Sequence, residues 1–176
     1  MEILKRAIRA ALFFILVLYF STPAFAFPVD VKDVCFSPNG DCASLIVDEA
    51  DQAKKEIRVL AYDFTSVPIG KALIRAKKRG VSVEVVIDRP GAFNEYSEVP
   101  YLLKANIPVY ADGNEMMMHN KVMIIDGEAV ITGSFNFTKA AEYDNAENLL
   151  ILNSPKLAQK YLENWKYHQG HSKRLK

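Results

Sequence analysis

The chain has 176 residues, with 22 Lys+Arg against 21 Asp+Glu, 50% hydrophobic and 24% charged residues, and two cysteines. It is too apolar to be disordered, too poor in cysteine for a disulfide-framework miniprotein, and too short for more than one ordinary domain. A net charge of +1 argues against a histone-like or polybasic nucleic-acid binder, but it averages two segments of different character.

Residues 1–26 carry Lys5, Arg6 and Arg9, an apolar run of 11 residues from Ala10 to Phe20, and the small-residue ending Ala24-Phe25-Ala26. A basic start, an apolar centre and an A-x-A exit make a secretory signal peptide, with cleavage expected before Phe27 and a periplasmic or secreted product. A retained membrane anchor is the rival reading; a spanning helix needs roughly 20 apolar residues, and this run is short of that. Without the segment, residues 27–176 hold 19 Lys+Arg and 20 Asp+Glu, a net charge of −1. Any polyanion must then be held by a local patch. Oxidising conditions also make Cys35 and Cys42 an expected disulfide across the turn Ser37-Pro38-Asn39-Gly40. Closing so small a loop contributes on the order of 2.5 kcal/mol in the chain-entropy model. Two thiols without a nearby histidine are an incomplete metal-ligand set, so the disulfide is preferred to a metal site there; no metal and no cofactor are expected of the chain.

Along the remaining chain, Ala43 to Lys55 has helical spacing and Glu56 to Phe64 reads as a strand. Ser66-Val67-Pro68 opens a helix that Gly80 closes, and Val81 to Asp88 is the next strand, broken by Arg89-Pro90-Gly91. Val99 to Ala105 forms a short helix and Ile107 to Ala111 a further strand. Strands alternating with helices predict an α/β fold, a mixed central β-sheet flanked by helices. Met117 to Ile125 and Ala129 to Phe137 are apolar runs separated by Asp126-Gly127, a strong hairpin signal. Asn148 to Leu152 is the last strand, followed by Ser154 as N-cap, Pro155 in the first turn, and a closing helix with Leu157, Tyr161, Leu162 and Trp165 on one face. The tail from Lys166 is expected to fray, flexible from about residue 168, with His168 and His171 in solvent.

The chemistry concentrates in the hairpin. Residues two apart on a strand share a face, so His119 pairs in direction with Lys121, and Ser134 with Asn136. A two-residue Asp126-Gly127 turn would pair Ile125 with Glu128 and set His119 opposite Ser134, with Lys121 and Asn136 as diagonal neighbours. An imidazole, an ammonium, an amide and a hydroxyl converging on one face suit a tetrahedral anion better than a core. Beside a cationic lysine, neutral imidazole can attack phosphorus, with Lys121 and Asn136 stabilising the non-bridging oxygens. A carboxylate should orient the ring, and of Glu142, Asp144 and Glu147 the last is best placed, at the mouth of the next strand.

His119-Asn-Lys121-Val-Met-Ile-Ile-Asp126 fits the H-x-K-x4-D motif of the phospholipase D superfamily, and Gly133-Ser134-Phe-Asn136 the G-S-x-N that follows it. The match extends through Phe137 to Glu142 and Asn145 to Asn148, and upstream through Ala61-Tyr-Asp-Phe64, Ala76 to Gly80 and Val86-Ile-Asp88. Nearly all of residues 27–176 resembles the small, single-motif, secreted Nuc-type endonucleases of that superfamily. The resemblance implies a metal-independent phosphodiesterase with His119 as nucleophile, Lys121, Ser134 and Asn136 binding phosphate, and Glu147 orienting the histidine. Members need two motifs per active site, one histidine attacking and the other protonating the leaving oxygen. This sequence has one, because His171-Ser-Lys173 reaches Lys176 before an Asp could follow, so a homodimer sharing the site at its two-fold axis is expected.

Several of these residues have plainer explanations. Asp126 is accounted for by turn chemistry, and by parity it faces away from His119, so its part is structural or supporting. Met116-Met117-Met118 reads as apolar packing. Lys71, Arg75, Lys77, Lys78 and Arg79 form the densest basic cluster, and Lys77, Lys78 and Arg79 are candidate nucleic-acid contacts, although cations there also serve the helix dipole. The expected substrate is DNA, cut without sequence specificity, with RNA as a further target. A phospholipase D acting on lipid head groups and an inactive phosphate-binding dimer are the alternatives.

Overall fold

Val83, Val85 and Ile87 point to one side of a strand and Val86 to the other, yet all four are buried, which requires apolar cover on both faces of the sheet. The computed structural model describes residues 27–176 and supplies that cover. The expected signal peptide lies outside the described residues. In chain order the elements are β1 (Asp30–Ser37), α1 (Cys42–Gln52), β2 (Glu56–Ala61), α2 (Val67–Lys78), β3 (Ser82–Asp88), α3 (Arg89–Ala92) and α4 (Val99–Lys104). There follow β4 (Val109–Asp112), β5 (Lys121–Ile125), β6 (Ala129–Gly133), α5 (Lys139–Tyr143), β7 (Glu147–Asn153), α6 (Pro155–His171) and β8 (Lys173–Arg174).

The eight strands form one sheet in the order β1-β7-β6-β5-β2-β3-β4-β8. β2, β3 and β4 run parallel, and every other neighbouring pair is antiparallel. This is the mixed α/β sheet expected from the alternation of elements. On one face Ile57, Val59, Val85, Met123, Ile125 and Ile131 pack with Ile46 of α1, Leu73 of α2 and Leu102 of α4. On the other, Leu60, Val86, Val122, Ile124 and Val130 pack with Ala158 and Trp165 of α6. Trp165 also donates its indole N–H to Val59 O at 3.0 Å, so its one polar atom is satisfied inside the sheet. No helix among the described residues is long and apolar enough to cross a membrane.

The N-terminal strand β1, which has no clear alternation, pairs with β7 and is joined by the Cys35–Cys42 disulfide to the first residue of α1, Cα to Cα 5.6 Å. The segment after β3 is not a plain break, because Arg89 to Ala92 makes one helical turn. Gly91 is needed there, since a Cβ would lie 2.3 Å from Tyr62 O. Ser154 occupies the N-cap position of α6 but spends its hydroxyl on Pro28 O, 3.0 Å away.

Two expectations are corrected. The hairpin pairs Ile125 with Ala129 and Val122 with Thr132, one residue off the two-residue-turn register, because Glu128 closes the turn on Ile125 O (3.0 Å) without itself joining the ladder. Both strands are also shorter than their apolar runs, so His119, Ser134 and Asn136 lie beyond the strand ends instead of facing one another across the ladder. The C-terminus is not a loose tail: α6 continues to His171, β8 pairs with β4, and His168 is buried. Apolar anchoring by Trp165 and Leu175 N donating to Val109 O (2.9 Å) hold this segment on the sheet.

Candidate active site

β5 begins at Lys121, antiparallel to β2, so the residues entering it meet the residues leaving β2. Tyr62 N donates to Asn120 O at 2.9 Å, which fixes this meeting point. The Tyr62 ring then sits against His119, centroids 4.4 Å apart and tilted by 59°, with the Lys121 ammonium 4.9 Å from the Tyr62 ring centroid. Lys121 Nζ donates to His119 O at 2.8 Å, leaving further N–H donors free. His119 is exposed, whereas Lys121 is only 8% exposed and makes no ion pair among the described residues. Burial lowers the Lys121 pKa below the ordinary lysine value, and the negative charge of Glu147 partly offsets this.

The second half of the motif reaches the same edge by a different route. Gly133 has φ 154°, and a Cβ there would lie 2.2 Å from Asn148 O, so only glycine lets the chain leave β6 this close to β7. Ser134 N donates to Asn148 O at 3.1 Å, and Ser134 Oγ accepts from Asn148 N and Nδ2 at 3.0 and 3.2 Å. Three residues on, Phe137 bridges to Phe64 and accepts from Thr65 N and Ser66 N at 3.0 and 2.9 Å. Because β6 and β5 separate β7 from β2, the 134–137 segment must cross the strand ends where His119 and Lys121 enter. Asn136, in the middle of that crossing, has a buried Oδ1 with no partner among the described residues. An unpaired buried amide oxygen costs about 1–3 kcal/mol, and rotating the amide would present its N–H donors to the same space.

The carboxylates divide by task. Glu147 opens β7 near this edge and reaches Lys121 by charge, but within the monomer its hydrogen bond is to Asn145 Nδ2 (3.2 Å), not to His119. Glu142 is buried and accepts from Ala43 N at 2.7 Å, capping α1. Asp126 closes the far end of β5, roughly 17 Å along the strand from Lys121. There it accepts from the backbone of Lys54 (2.9 Å), Lys55 (2.7 Å) and Glu56 (3.0 Å). Burial alone would raise its pKa, and these N–H donors outweigh that and lower it. Asp126 thus staples the hairpin to the start of β2.

The basic cluster is also at the wrong end for this site. Lys77, Lys78 and Arg79 end α2 just before β3 starts at Ser82, whereas His119 and Lys121 lie where β2 ends. Arg79 is engaged there with Asp51 (3.5 Å) and Ala50 O (2.8 Å). Three residues that carry no motif role by type alone emerge from the geometry. Tyr62 floors the His119–Lys121 pair, Asn148 holds Ser134, and Asp88 Oδ1 accepts from Met118 N at 2.8 Å, next to His119. Their signals were position at strand ends, within the matched strings Ala61-Tyr-Asp-Phe64, Val86-Ile-Asp88 and Asn145 to Asn148.

Comparison with known proteins agrees with this geometry. Residues 46–168 match the family model for the cardiolipin synthase, PLD-like domain. A phospholipase D of Rickettsia conorii is 43% identical over 131 residues, 74% of this chain and 66% of the relative. A mitochondrial cardiolipin hydrolase of Chlamydomonas reinhardtii is 31% identical over 114 residues, 65% of this chain and 51% of the relative. This chain therefore spans less than two thirds of the length of these curated relatives. The crystal structure of Nuc, a phospholipase D family member from Salmonella typhimurium, superposes with a TM-score of 0.80 at 41% identity, covering 85% of this chain and 99% of that one. With one model matching most of the residues and one solved chain matching over nearly its whole length, this chain belongs to the phospholipase D-like family.

Proposed function

We propose that this protein is a phosphodiesterase that works through a phosphohistidine. The observation that carries the reading is an exposed His119 packed at a tilt against Tyr62, beside a buried Lys121 ammonium that makes no ion pair among the described residues. A fixed cation with spare donors is a seat for a phosphodiester, and the imidazole stands at its edge free to attack. His119 forms a bond to phosphorus as the bond to the leaving oxygen breaks, while Lys121, Asn136 and Ser134 donate to the non-bridging oxygens. A second imidazole must protonate the leaving oxygen and then take a proton from the water that releases the phosphate. The sequence holds one motif, and His119 of the partner subunit is the natural donor in a two-fold homodimer. The exposure of His119 supports this, since half of a shared site stays open in the monomer. Glu147, unattached to His119 within one chain, orients a ring once the dimer closes.

DNA is the preferred substrate, cut as an endonuclease without sequence specificity, with RNA as a further target. Likeness to Nuc over 99% of that chain supports it. Phospholipid head groups are the second reading, favoured by the 43% identity to a phospholipase D. The signal-peptide pattern of residues 1–26 supports an exported, periplasmic or secreted protein. The test is a parallel assay of residues 27–176 on single-stranded DNA, duplex DNA, RNA and phosphatidylcholine vesicles, with and without EDTA. Cleavage of nucleic acid that persists in EDTA is expected. Release of choline with intact DNA selects the lipid reading, and turnover of neither rejects the assignment.

A further inference from the structure

At the opposite end of α6 from its N-cap, a second group of chemically capable side chains is assembled. Asp112 ends β4, Glu115 lies in the loop that runs on to His119, and His168 and His171 occupy successive turns of α6. Their nearest nitrogen and carboxylate oxygen atoms all lie within 4.8 Å of one another. His168 Nδ1 is 2.8 Å from Asp112 Oδ2 and 3.8 Å from Glu115 Oε2. His171 Nε2 is 3.1 Å from Asp112 Oδ2 and 3.6 Å from Glu115 Oε2. A tetrahedral zinc ion with bonds near 2.0 Å holds its ligand atoms roughly 3.3 Å apart, which these separations bracket.

Hydrogen bonding alone does not satisfy this cluster. With suitable tautomers both rings donate to Asp112 Oδ2, but Glu115 Oε2 is then left buried with no partner among the described residues. Asp112 is fully buried and His168 nearly so. A carboxylate oxygen aimed into such a group without a donor is costly. We propose that Asp112, Glu115, His168 and His171 bind one zinc-type divalent cation. Two imidazole nitrogens favour zinc over magnesium or calcium, which take oxygen ligands, and two carboxylates balance its charge. Tyr167 lies edge-on to both rings, with centroids 5.3 and 4.9 Å away. A cleft of about 410 Å³ bordered by Gly113, Asn114 and His171 gives a way in, with Arg89 and Lys173 on its rim.

The ion is a structural staple and takes no part in the phosphoryl transfer. It ties α6 to β4 and to the 113–120 loop, whose Met118 is held by Asp88 and whose His119 follows four residues after Glu115. This runs against the sequence expectation of no metal, and against His168 and His171 standing in solvent.

The test uses residues 27–176 without an affinity tag, stripped with a chelator and titrated with zinc chloride by calorimetry, with metal content read by mass spectrometry. One zinc per chain is expected, and a hundredfold excess over Kd should raise Tm by about 5 °C or more. Cobalt(II) should give the visible absorption of a tetrahedral site, and magnesium should do neither. Glu115→Gln and His171→Gln, both at partly exposed positions, should each weaken zinc binding about a hundredfold or more. Chelated protein should still turn over substrate well below its Tm. Wild-type protein that takes up no stoichiometric zinc, or variants that bind it as tightly as wild type, would overturn the proposal.

Discussion

The carboxylate of Asp88 accepts a 2.8 Å hydrogen bond from the backbone N–H of Met118, the residue immediately before His119. Asp88 Oδ2 is buried without a partner, so among the described residues this one bond is what the side chain does. In the proposed mechanism Asp88 is a positioning residue: it sets where the loop carrying His119 leaves the sheet. Asp88→Ala should lower kcat about 10- to 100-fold with KM nearly unchanged, and Asp88→Asn, which keeps an acceptor oxygen, should recover most of the loss. Equal falls in kcat and Tm for both variants would reduce the role to stability.

His119→Ala should cut phosphodiester hydrolysis by about 10⁴-fold or more, as expected for loss of a nucleophile. The side chain is exposed, so the cost in stability should stay within about 0.5 kcal/mol. Rapid acid quench of wild-type protein with labelled substrate should trap phosphohistidine. A fully active His119→Ala protein removes the mechanism.

Burial lowers the Lys121 pKa, so its activating charge is present at neutral pH and lost at lower alkalinity than for a free lysine. Activity should therefore fall on the alkaline side before pH 10.5, and Lys121→Arg should move that limb upward or abolish it. The Glu147 charge opposes the shift. Its removal in Glu147→Gln should displace the limb further toward neutral pH, in addition to any loss of kcat. A limb that ignores both substitutions belongs to another group.

Asp126→Ala should destabilise the fold by about 2–3 kcal/mol, through the lost acceptor for Lys54, Lys55 and Glu56. Activity of the folded fraction should be unchanged. The Asp126 pKa is lowered in the fold, so its contribution is present above the ordinary carboxylate value and fades as pH falls through the lowered one. The Tm difference between wild type and variant should shrink correspondingly in acid. A loss of kcat in folded protein at neutral pH would return Asp126 to the active site.

If two subunits share one site, specific activity should decline on dilution through the dimer dissociation constant. An excess of His119→Ala protein should inhibit wild type by forming mixed dimers with one histidine. Constant specific activity and additive behaviour on mixing would mean that a single chain suffices.

His119, Lys121, Ser134 and Asn136 were legible as residue types at fixed spacing, and the α/β class followed from alternating strand and helix patterns. The hairpin was legible too, but not its register. Asp-Gly marks a turn without saying whether Glu128 joins the ladder, and one residue of slip exchanges the faces. The ends of β5 and β6 were equally hidden, because Met117, Met118, Phe135 and Phe137 are as apolar as the strands they extend. What stops them is contact with Asp88 and Phe64, distant in sequence.

By itself the sequence determined the chemistry on offer: one imidazole, one ammonium, an amide and a hydroxyl at the spacing of one family. Those facts are local, fixed by residue identity and short-range order. Only the tertiary structure decided which groups share a space. It set Tyr62 beneath His119, sent Asp126 and the Lys77–Arg79 cluster to the other end of the sheet, and folded His168 and His171 onto Asp112. Each of these rests on strand order and on helix packing over the sheet, and residues 56 to 72 positions apart meet only once that packing has formed.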